Sequence, residues 1–232
     1  MYKFIKRRIN ILVSIIAIFC LLPLFIPIIL LLRITGEKEM FYFQKRIGFK
    51  NVPFAIYKFA TMLKDSAQMG NGTITVVNDY RVTKVGRFLR VSKVNELPQL
   101  FNILKGDMSF VGLRPLPLSD FKDYPVHIQD SIYNIVLGLT GIGSLVFRDE
   151  ERYFIQSNLS PKEINRQMIA PYKGALELWY YHHQSFPVDL KILILTAWSI
   201  LFKNTDMVYK SFPDLPIKPD TLTVEGIKKL HL

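Results

Sequence analysis

The chain has 232 residues, half of them hydrophobic, which is enough for one domain with a sizeable core and one additional segment. Its net charge of +11 favours anionic partners, namely nucleic acid, anionic lipid or a phosphorylated substrate. The single cysteine, Cys20, excludes an internal disulfide and a metal centre built from several cysteines.

The first predicted element is a membrane helix. Residues 11–32 form an almost unbroken apolar run, which as a straight helix at ~1.5 Å per residue would reach ~33 Å and cross a bilayer. Pro23 lies near its middle and Pro27 one turn later, and a proline inside a helix kinks the axis. Basic residues flank the run on both sides: Lys3, Lys6, Arg7 and Arg8 before it, Arg33 and Lys38 after it.

Basic flanks tend to stay on the cytoplasmic side, so two basic flanks indicate that both ends of the helix lie on the same side. We therefore predict a re-entrant anchor over residues 1–38, which dips into the membrane and returns. The alternative is a single span kinked at Pro23. Either anchor holds the rest of the chain at a membrane, most simply at its cytoplasmic face, and no nucleic-acid partner is expected.

The next elements predict a short sheet and a capped helix. Residues 40–62 have the pattern of two strands joined by a turn, and Met108–Val111 is a third short β-prone run. Between them, Asn95 has the character of a helix N-cap, followed by a predicted helix over Glu96–Leu104.

Two further helices are predicted in the second half. Ser160-Pro161-Lys162-Glu163 is a capping box with proline at the first position, so a helix is expected over Pro161–Tyr181. Leu190–Phe202 is apolar but too short to span a membrane, which leaves a core helix or a helix in the membrane interface.

These elements predict an irregular α/β fold: a re-entrant membrane helix, interfacial amphipathic helices, and a small cytoplasmic domain with a short sheet. The predicted boundaries are an anchor over 1–38, a catalytic domain with interfacial helices over 39–205, and a C-terminal tail over 206–232.

The densest polar segment is residues 81–115. Five basic residues recur there at three-residue intervals just before the predicted helix N-terminus, which favours anions: Arg81, Lys84, Arg87, Arg90 and Lys93. Arg114 follows and can bind a phosphate through two N–H groups, while Glu96 and Asp107 offer oxygen ligands of the kind Mg²⁺ takes. Two interpretations stay open: a site for a phosphate or pyrophosphate at the membrane surface, or a basic stripe facing anionic lipid.

Longer motifs in this region and on both sides of it resemble a known family, the bacterial sugar transferases. These are monotopic phosphoglycosyl transferases that start glycan assembly on a polyprenyl phosphate. The resemblance covers nearly the whole chain, and its motifs occur in order at Phe43–Gly48, Ile56–Met62, Gly86–Arg90, Asn95–Ser109, Val111–Pro115 and Asp189–Leu193.

The resemblance implies a reaction. A sugar 1-phosphate moves from a UDP-sugar to undecaprenyl phosphate, with Mg²⁺ as cofactor, at the cytoplasmic face of a bacterial inner membrane. This is the first membrane step of polysaccharide, O-antigen or glycoprotein glycan synthesis. A homodimer and downstream glycosyltransferases are the protein partners that the resemblance leaves open.

The resemblance also implies roles for individual residues. Glu96 matches the glutamate that helps to bind the metal, and the family's arginines that hold phosphates match Arg90 and Arg114. Lys58 matches the lysine of a lysine-phenylalanine-arginine-threonine-methionine motif, and Asp189 matches a late acidic residue. Arg87, in the basic stripe, completes the predicted phosphate-binding set.

The chain departs from the family at the position of the nucleophile. Asn95 stands at the position of the aspartate that attacks the donor in family members, and an amide is a far poorer nucleophile than a carboxylate. Ala60 and Leu113 also replace an arginine and a proline of family motifs. Four accounts are open: Glu96 as nucleophile, direct transfer without a covalent intermediate, an inactivated variant of an active parent, and a paralogue that only binds.

Overall fold

The computed structural model describes residues 1–70, 72, 74–76, 78–132, 134, 136–148, 150, 153, 159–202 and 206–222. It is a mixed structure with one long N-terminal helix and two small sheets among the described residues. Within this part of the chain, the N-terminal helix is also the one segment long and apolar enough to cross a membrane.

That helix, α1 (Tyr2–Ile34), is continuous through Pro23 and Pro27. It packs along the domain by one stripe of side chains, which are Asn10, Ser14, Phe25, Ile28 and Leu32. These buried side chains lie on both sides of Pro23 and hold the helix to the domain. The re-entrant path through a bilayer stays a prediction.

Contacts at both ends tie α1 to the same domain. Near its start, Arg7 donates to the carbonyl oxygens of Ile103 and Leu104, at 2.5 and 2.7 Å. Toward its end, the Phe25 ring meets the edge of Phe59, with ring centroids 5.5 Å apart. The remaining faces of α1 expose apolar side chains.

The predicted strands are confirmed. The strands β1 (Phe41–Ile47) and β2 (Pro53–Phe59) form an antiparallel hairpin in which Phe41 pairs with Phe59. The strand β3 (Met108–Val111) pairs in parallel with β4 (Leu137–Thr140).

Glycines let β3 and β4 end in close contact. A Cβ on Gly112 would fall 2.6 Å from the carbonyl oxygen of Val136. A Cβ on Gly138 or Gly141 would collide with the backbone of Gly112. The segments that follow the two strands are therefore held side by side.

The region between the sheets differs from the predicted capped helix. The helix α2 (Lys84–Val91) is followed by a 3₁₀ turn, Val94–Glu96, and then by α3 (Gln99–Lys105). Asn95 lies inside the turn and not at an N-cap, so the capping prediction was wrong. The reason lies two residues earlier. Lys93 takes a left-handed conformation (φ 60°) and is itself the N-cap of the 3₁₀ turn that contains Asn95.

The second half supplies the main core. Two short helices, α4 (Leu118–Phe121) and α5 (Val126–Ile132), precede β4, and α6 (Ile142–Val146) follows it. The capping box at Ser160 is confirmed and starts α7 (Pro161–Ile164). A π-helical segment, Asn165–Ile169, interrupts the predicted long helix before α8 (Ala170–His183).

The last elements are α9 (Phe186–Leu201) and α10 (Asp206–Ser211). In α9, Ile192 and Leu195 point into the core while Leu190, Ile194 and Leu201 are exposed. The predicted tail over 206–232 is partly a packed segment, because Val208, Phe212 and Leu222 belong to the main core. Residues 223–232 lie outside the described residues.

Candidate active site

The candidate site lies where β3 and β4 end. After β3 the chain continues through Gly112 and Leu113 to Arg114, and after β4 it enters α6. The 3₁₀ turn Val94–Glu96 contacts β2, which carries Lys58. Three residues predicted from the sequence, Lys58, Glu96 and Arg114, thus come together, and we call them the Glu96 cluster.

Glu96 is the centre of this cluster. Its Oε1 accepts a hydrogen bond from Arg114 Nη2 at 3.0 Å and lies 3.5 Å from Lys58 Nζ. Burial alone would raise the pKa of Glu96, but the charges of Arg114, Lys58 and Lys93 outweigh it and hold the pKa far below its usual range. Glu96 is therefore a carboxylate at every pH at which the protein would work.

Positive charge exceeds negative charge around Glu96. Burial, together with the charges of Arg46, Arg114 and Arg90, lowers the pKa of Lys58 to about 7, although Glu96 acts in the opposite direction. Burial and the neighbouring Arg114 also lower the pKa of Arg46, to about 10. Like charges held this close are stabilised by an anion, so the electrostatics suit a phosphate or diphosphate.

Asn95 lies next to this surplus of charge. It is only 6% exposed, and its Oδ1 has no hydrogen-bond partner among the described residues. Buried polar atoms are normally paired, so an unpaired one at a charged site is an acceptor available to a ligand.

A second buried set, which the sequence analysis missed, lies behind Arg114. Glu177 of α8 is 3% exposed, accepts from the backbone N–H of Arg114, and has no partner for Oε2 among the described residues. Burial raises its pKa to about 8 despite the opposing charge of Lys173. Lys173 in turn pairs with Glu150 at 2.9 Å. A lysine and a glutamate four residues apart in an otherwise apolar helix were the signal that could have identified this set.

The basic stripe does not form one surface. Arg81 is 1% exposed and is held by Asp79 and by the carbonyl oxygens of four residues in the preceding loop: Ser66, Met69, Gly72 and Ile74. Arg90 donates to Thr75 Oγ1 at 2.8 Å and acts on the charge of Lys58. Arg87 is exposed on α2. In this stripe Arg81 therefore holds a loop together from inside, Arg90 faces the candidate site, and Arg87 lies on the surface.

Asp189 lies elsewhere. Its carboxylate accepts from Tyr2 at 2.7 Å and Tyr180 at 2.6 Å, and pairs with Lys6 at 2.7 Å. We call Tyr2, Lys6, Tyr180 and Asp189 the Asp189 hub. Among the described residues, the hydrogen bonds and ion pair of Asp189 go to this hub and not to the Glu96 cluster, so the structure does not bring this predicted substrate-binding residue to the other site residues.

The residues present are compatible with Mg²⁺ only in the company of a phosphorylated ligand. The described residues contain no group of three or more histidine, cysteine, aspartate or glutamate side chains arranged to hold a metal. Mg²⁺, however, often uses one or two protein oxygens together with substrate phosphates. The Glu96 carboxylate, which Arg114 and Lys58 contact at Oε1, and the unpaired Oδ1 of Asn95 fit such a set. Asp107 contacts Asn102 and Lys105, which are not part of the Glu96 cluster.

Comparison with known proteins gives this geometry a context. The family model described as bacterial sugar transferase matches residues 1–203. The chain is 32% identical over 197 residues to the uncharacterized sugar transferase EpsL of Bacillus subtilis, covering 85% of this chain and 87% of that protein. It is 33% identical over 207 residues to the UDP-glucose:undecaprenyl-phosphate glucose-1-phosphate transferase of Caulobacter vibrioides, covering 84% of this chain and 70% of that protein.

A third relative is longer. The chain is 42% identical over 147 residues to the UDP-N-acetylgalactosamine-undecaprenyl-phosphate N-acetylgalactosaminephosphotransferase of Aeromonas hydrophila, covering 62% of this chain. The match spans 34% of that protein, about a third of its length.

Proposed function

The chain belongs to the bacterial sugar transferase family, and from that premise we propose that it moves a sugar 1-phosphate from a UDP-sugar to undecaprenyl phosphate. The names of the relatives support transfer over a silent binding module. The observation that carries the proposal is the Glu96 cluster, a partly buried carboxylate between two cations beside an unpaired amide oxygen. It has the surplus positive charge that a donor diphosphate would neutralise.

The proposed reaction exchanges one phosphorus–oxygen bond for another. An oxygen of the lipid phosphate bonds to the β-phosphorus of the donor. The bond from that phosphorus to the bridging oxygen breaks, and its electron pair leaves with uridine monophosphate. The sugar keeps its own phosphate, so the product is a diphosphate-linked lipid that downstream glycosyltransferases would extend.

The residues of the site would act mainly by position and charge. Lys58, Arg90 and Arg114 would hold the phosphoryl oxygens and offset the charge that develops on the leaving group. Glu177, through the backbone of Arg114, would fix the segment that carries this guanidinium. Bound Mg²⁺ would be held by Glu96 and Asn95 Oδ1 together with the donor, and would neutralise diphosphate charge.

Among the four accounts of Asn95, we favour direct transfer. The Glu96 carboxylate is paired with Arg114 and Lys58, and such pairing stabilises the charge that a nucleophile must share. The amide of Asn95 is a poor nucleophile, but its oxygen is a suitable ligand. The lipid phosphate is then the attacking group.

We place the site at the cytoplasmic face of a bacterial inner membrane, with α1 re-entering the bilayer from that face. Both ends of α1 contact the same domain, which supports this path over a span that would separate them. A homodimer stays a prediction, and light scattering of the purified protein in detergent would test it.

The experiment is uridine monophosphate release by the purified full chain with Mg²⁺ and a panel of UDP-sugars, with and without undecaprenyl phosphate. Direct transfer predicts release only when the acceptor is present. Asn95→Asp should add acceptor-independent release of up to one equivalent, because a carboxylate can form a covalent intermediate.

Acceptor-independent release by the unaltered chain would point to Glu96 as nucleophile and would overturn direct transfer. Activity only in Asn95→Asp would identify a disabled transferase. Silence of both forms with every donor would contradict the proposed function.

A further inference from the structure

A cavity at the opposite end of β3 belongs to no part of the proposed reaction. It measures about 120 Å³ and lies between the start of α1, the start of β3 and the end of α8. One water needs ~10–15 Å³ by this measure, so the cavity has room for a group the size of a phosphate.

Its lining is cationic on one side and apolar on the other. Lys3, Lys6 and Arg7 come from α1, while Met108 and Val136 are apolar residues from the strand region. Lys6 is compensated by Asp189, and Arg7 donates to the carbonyl oxygens of Ile103 and Leu104 but has no carboxylate partner among the described residues. Lys3 likewise has no carboxylate within ion-pair distance in that part of the chain. The cavity is lined by no acidic residue in that part of the chain, so its charge is complementary to an anion.

The cavity is separate from the candidate active site. Met108 begins β3 and lines the cavity, whereas Arg114 follows the other end of the strand. At ~3.3 Å per residue the strand rises ~10 Å from Met108 to Val111. No residue of the Glu96 cluster lines the cavity, although the carbonyl oxygen of its lining residue Val136 lies near Gly112. A phosphate held in the cavity is therefore not the phosphate that would react at Glu96.

The surroundings point to a lipid as the source of the anion. Phe4 and Ile9 are on α1 beside the lining lysines and are 65% and 44% exposed. A headgroup in the cavity would leave its acyl chains against this apolar face, which a soluble phosphate would not cover.

We propose that this cavity binds the phosphate headgroup of an anionic membrane phospholipid and thereby fixes the start of α1 at the membrane surface. Lys3 and Arg7 supply the charge, Met108 and Val136 the apolar floor, and the outer face of α1 the contact for the chains.

The test measures lipid retention by the full chain in neutral detergent, using native mass spectrometry during titration with phosphatidylglycerol or phosphatidylcholine. The proposal predicts one retained phosphatidylglycerol per chain and much weaker retention of phosphatidylcholine. Lys3→Gln should weaken phosphatidylglycerol binding about fivefold, the effect of about one charge near an anionic headgroup.

Two further variants make the test specific. Arg8→Gln removes the same charge from the same helix without touching the cavity lining, and it should leave retention unchanged. Val136→Phe fills the apolar floor without changing charge, and it should weaken retention. Melting temperatures show that each variant is folded.

Equal losses in Lys3→Gln and Arg8→Gln would mean ordinary surface charge and would overturn the proposal, as would equal retention of both lipids. Displacement by inorganic phosphate would overturn the lipid assignment. Neither donor nor acceptor is present, so the result is independent of the proposed transfer reaction.

Discussion

The Glu96 cluster and the Asp189 hub are both partly buried, charged and built around one carboxylate, yet they differ in how completely their polar groups are paired. At Asp189 both carboxylate oxygens have partners, and two tyrosines and one lysine are matched to one acid. Around Glu96 the cations outnumber the acids, and Asn95 and Glu177 keep unpaired oxygens. Polar groups that are all paired, as at Asp189, hold elements of the fold together. Surplus positive charge with unpaired acceptors, as around Glu96, indicates a ligand-binding site.

The largest effect on activity is expected at Glu96. Glu96→Gln should lower transfer about 10²-fold or more, because it removes the charge that balances Lys58 and Arg114 and a ligand of the proposed metal. Steady-state release of uridine monophosphate measures the effect. Glu37→Gln, the same change at an exposed position, is the control, and full activity of Glu96→Gln would remove this residue from the mechanism.

A substitution in the Asp189 hub should lower the stability of the fold and not the activity. Asp189→Ala leaves Lys6 and two tyrosines without their acceptor, and breaking a buried pair in this way costs about 3–5 kcal/mol. Chemical denaturation in detergent measures the loss. Activity per folded molecule should change little. A stable Asp189→Ala protein with lost activity would instead return this residue to substrate binding.

The pH dependence of donor binding is a further test of the charge surplus around Glu96. Because the pKa of Lys58 is lowered to about 7, the lysine loses its proton as the pH rises above that value. The donor KM should then increase with pH by up to about tenfold per unit. Lys58→Arg keeps its charge and should flatten the profile between about pH 6 and pH 9. An unchanged slope in Lys58→Arg would assign the titration to another group.

The smallest effect is expected at Arg87. This arginine is exposed on α2, so Arg87→Gln should change the donor KM less than about fivefold, as for one cation near an anionic surface. Arg90→Gln, one turn later and facing the site, should raise the donor KM more. Equal effects would mean that the helix contributes only general positive charge.

The sequence predicted the elements whose signals are local. The Ser160 capping box, the β1–β2 hairpin and the strand Met108–Val111 rest on neighbouring residues, and all are present. The motif residues Lys58, Glu96 and Arg114 were predicted through the family resemblance, and the fold brings them together.

The sequence did not reveal contacts that form only in the folded chain. The three-residue spacing of the basic stripe did not reveal that Arg81 would be enclosed by the carbonyls of its own loop. Asp189 pairs with Tyr2, 187 residues earlier in the chain, and no local pattern encodes that contact.

The glycines that bring β3 and β4 together limit how this enzyme family member could be re-engineered. A single methyl group at Gly112, Gly138 or Gly141 would meet backbone, which cannot move aside as a side chain can. Such a change would displace Arg114, two residues beyond Gly112, without touching any polar group. A mutant library intended to alter sugar preference should therefore keep these three glycines and vary the side chains around the backbone that they hold in place.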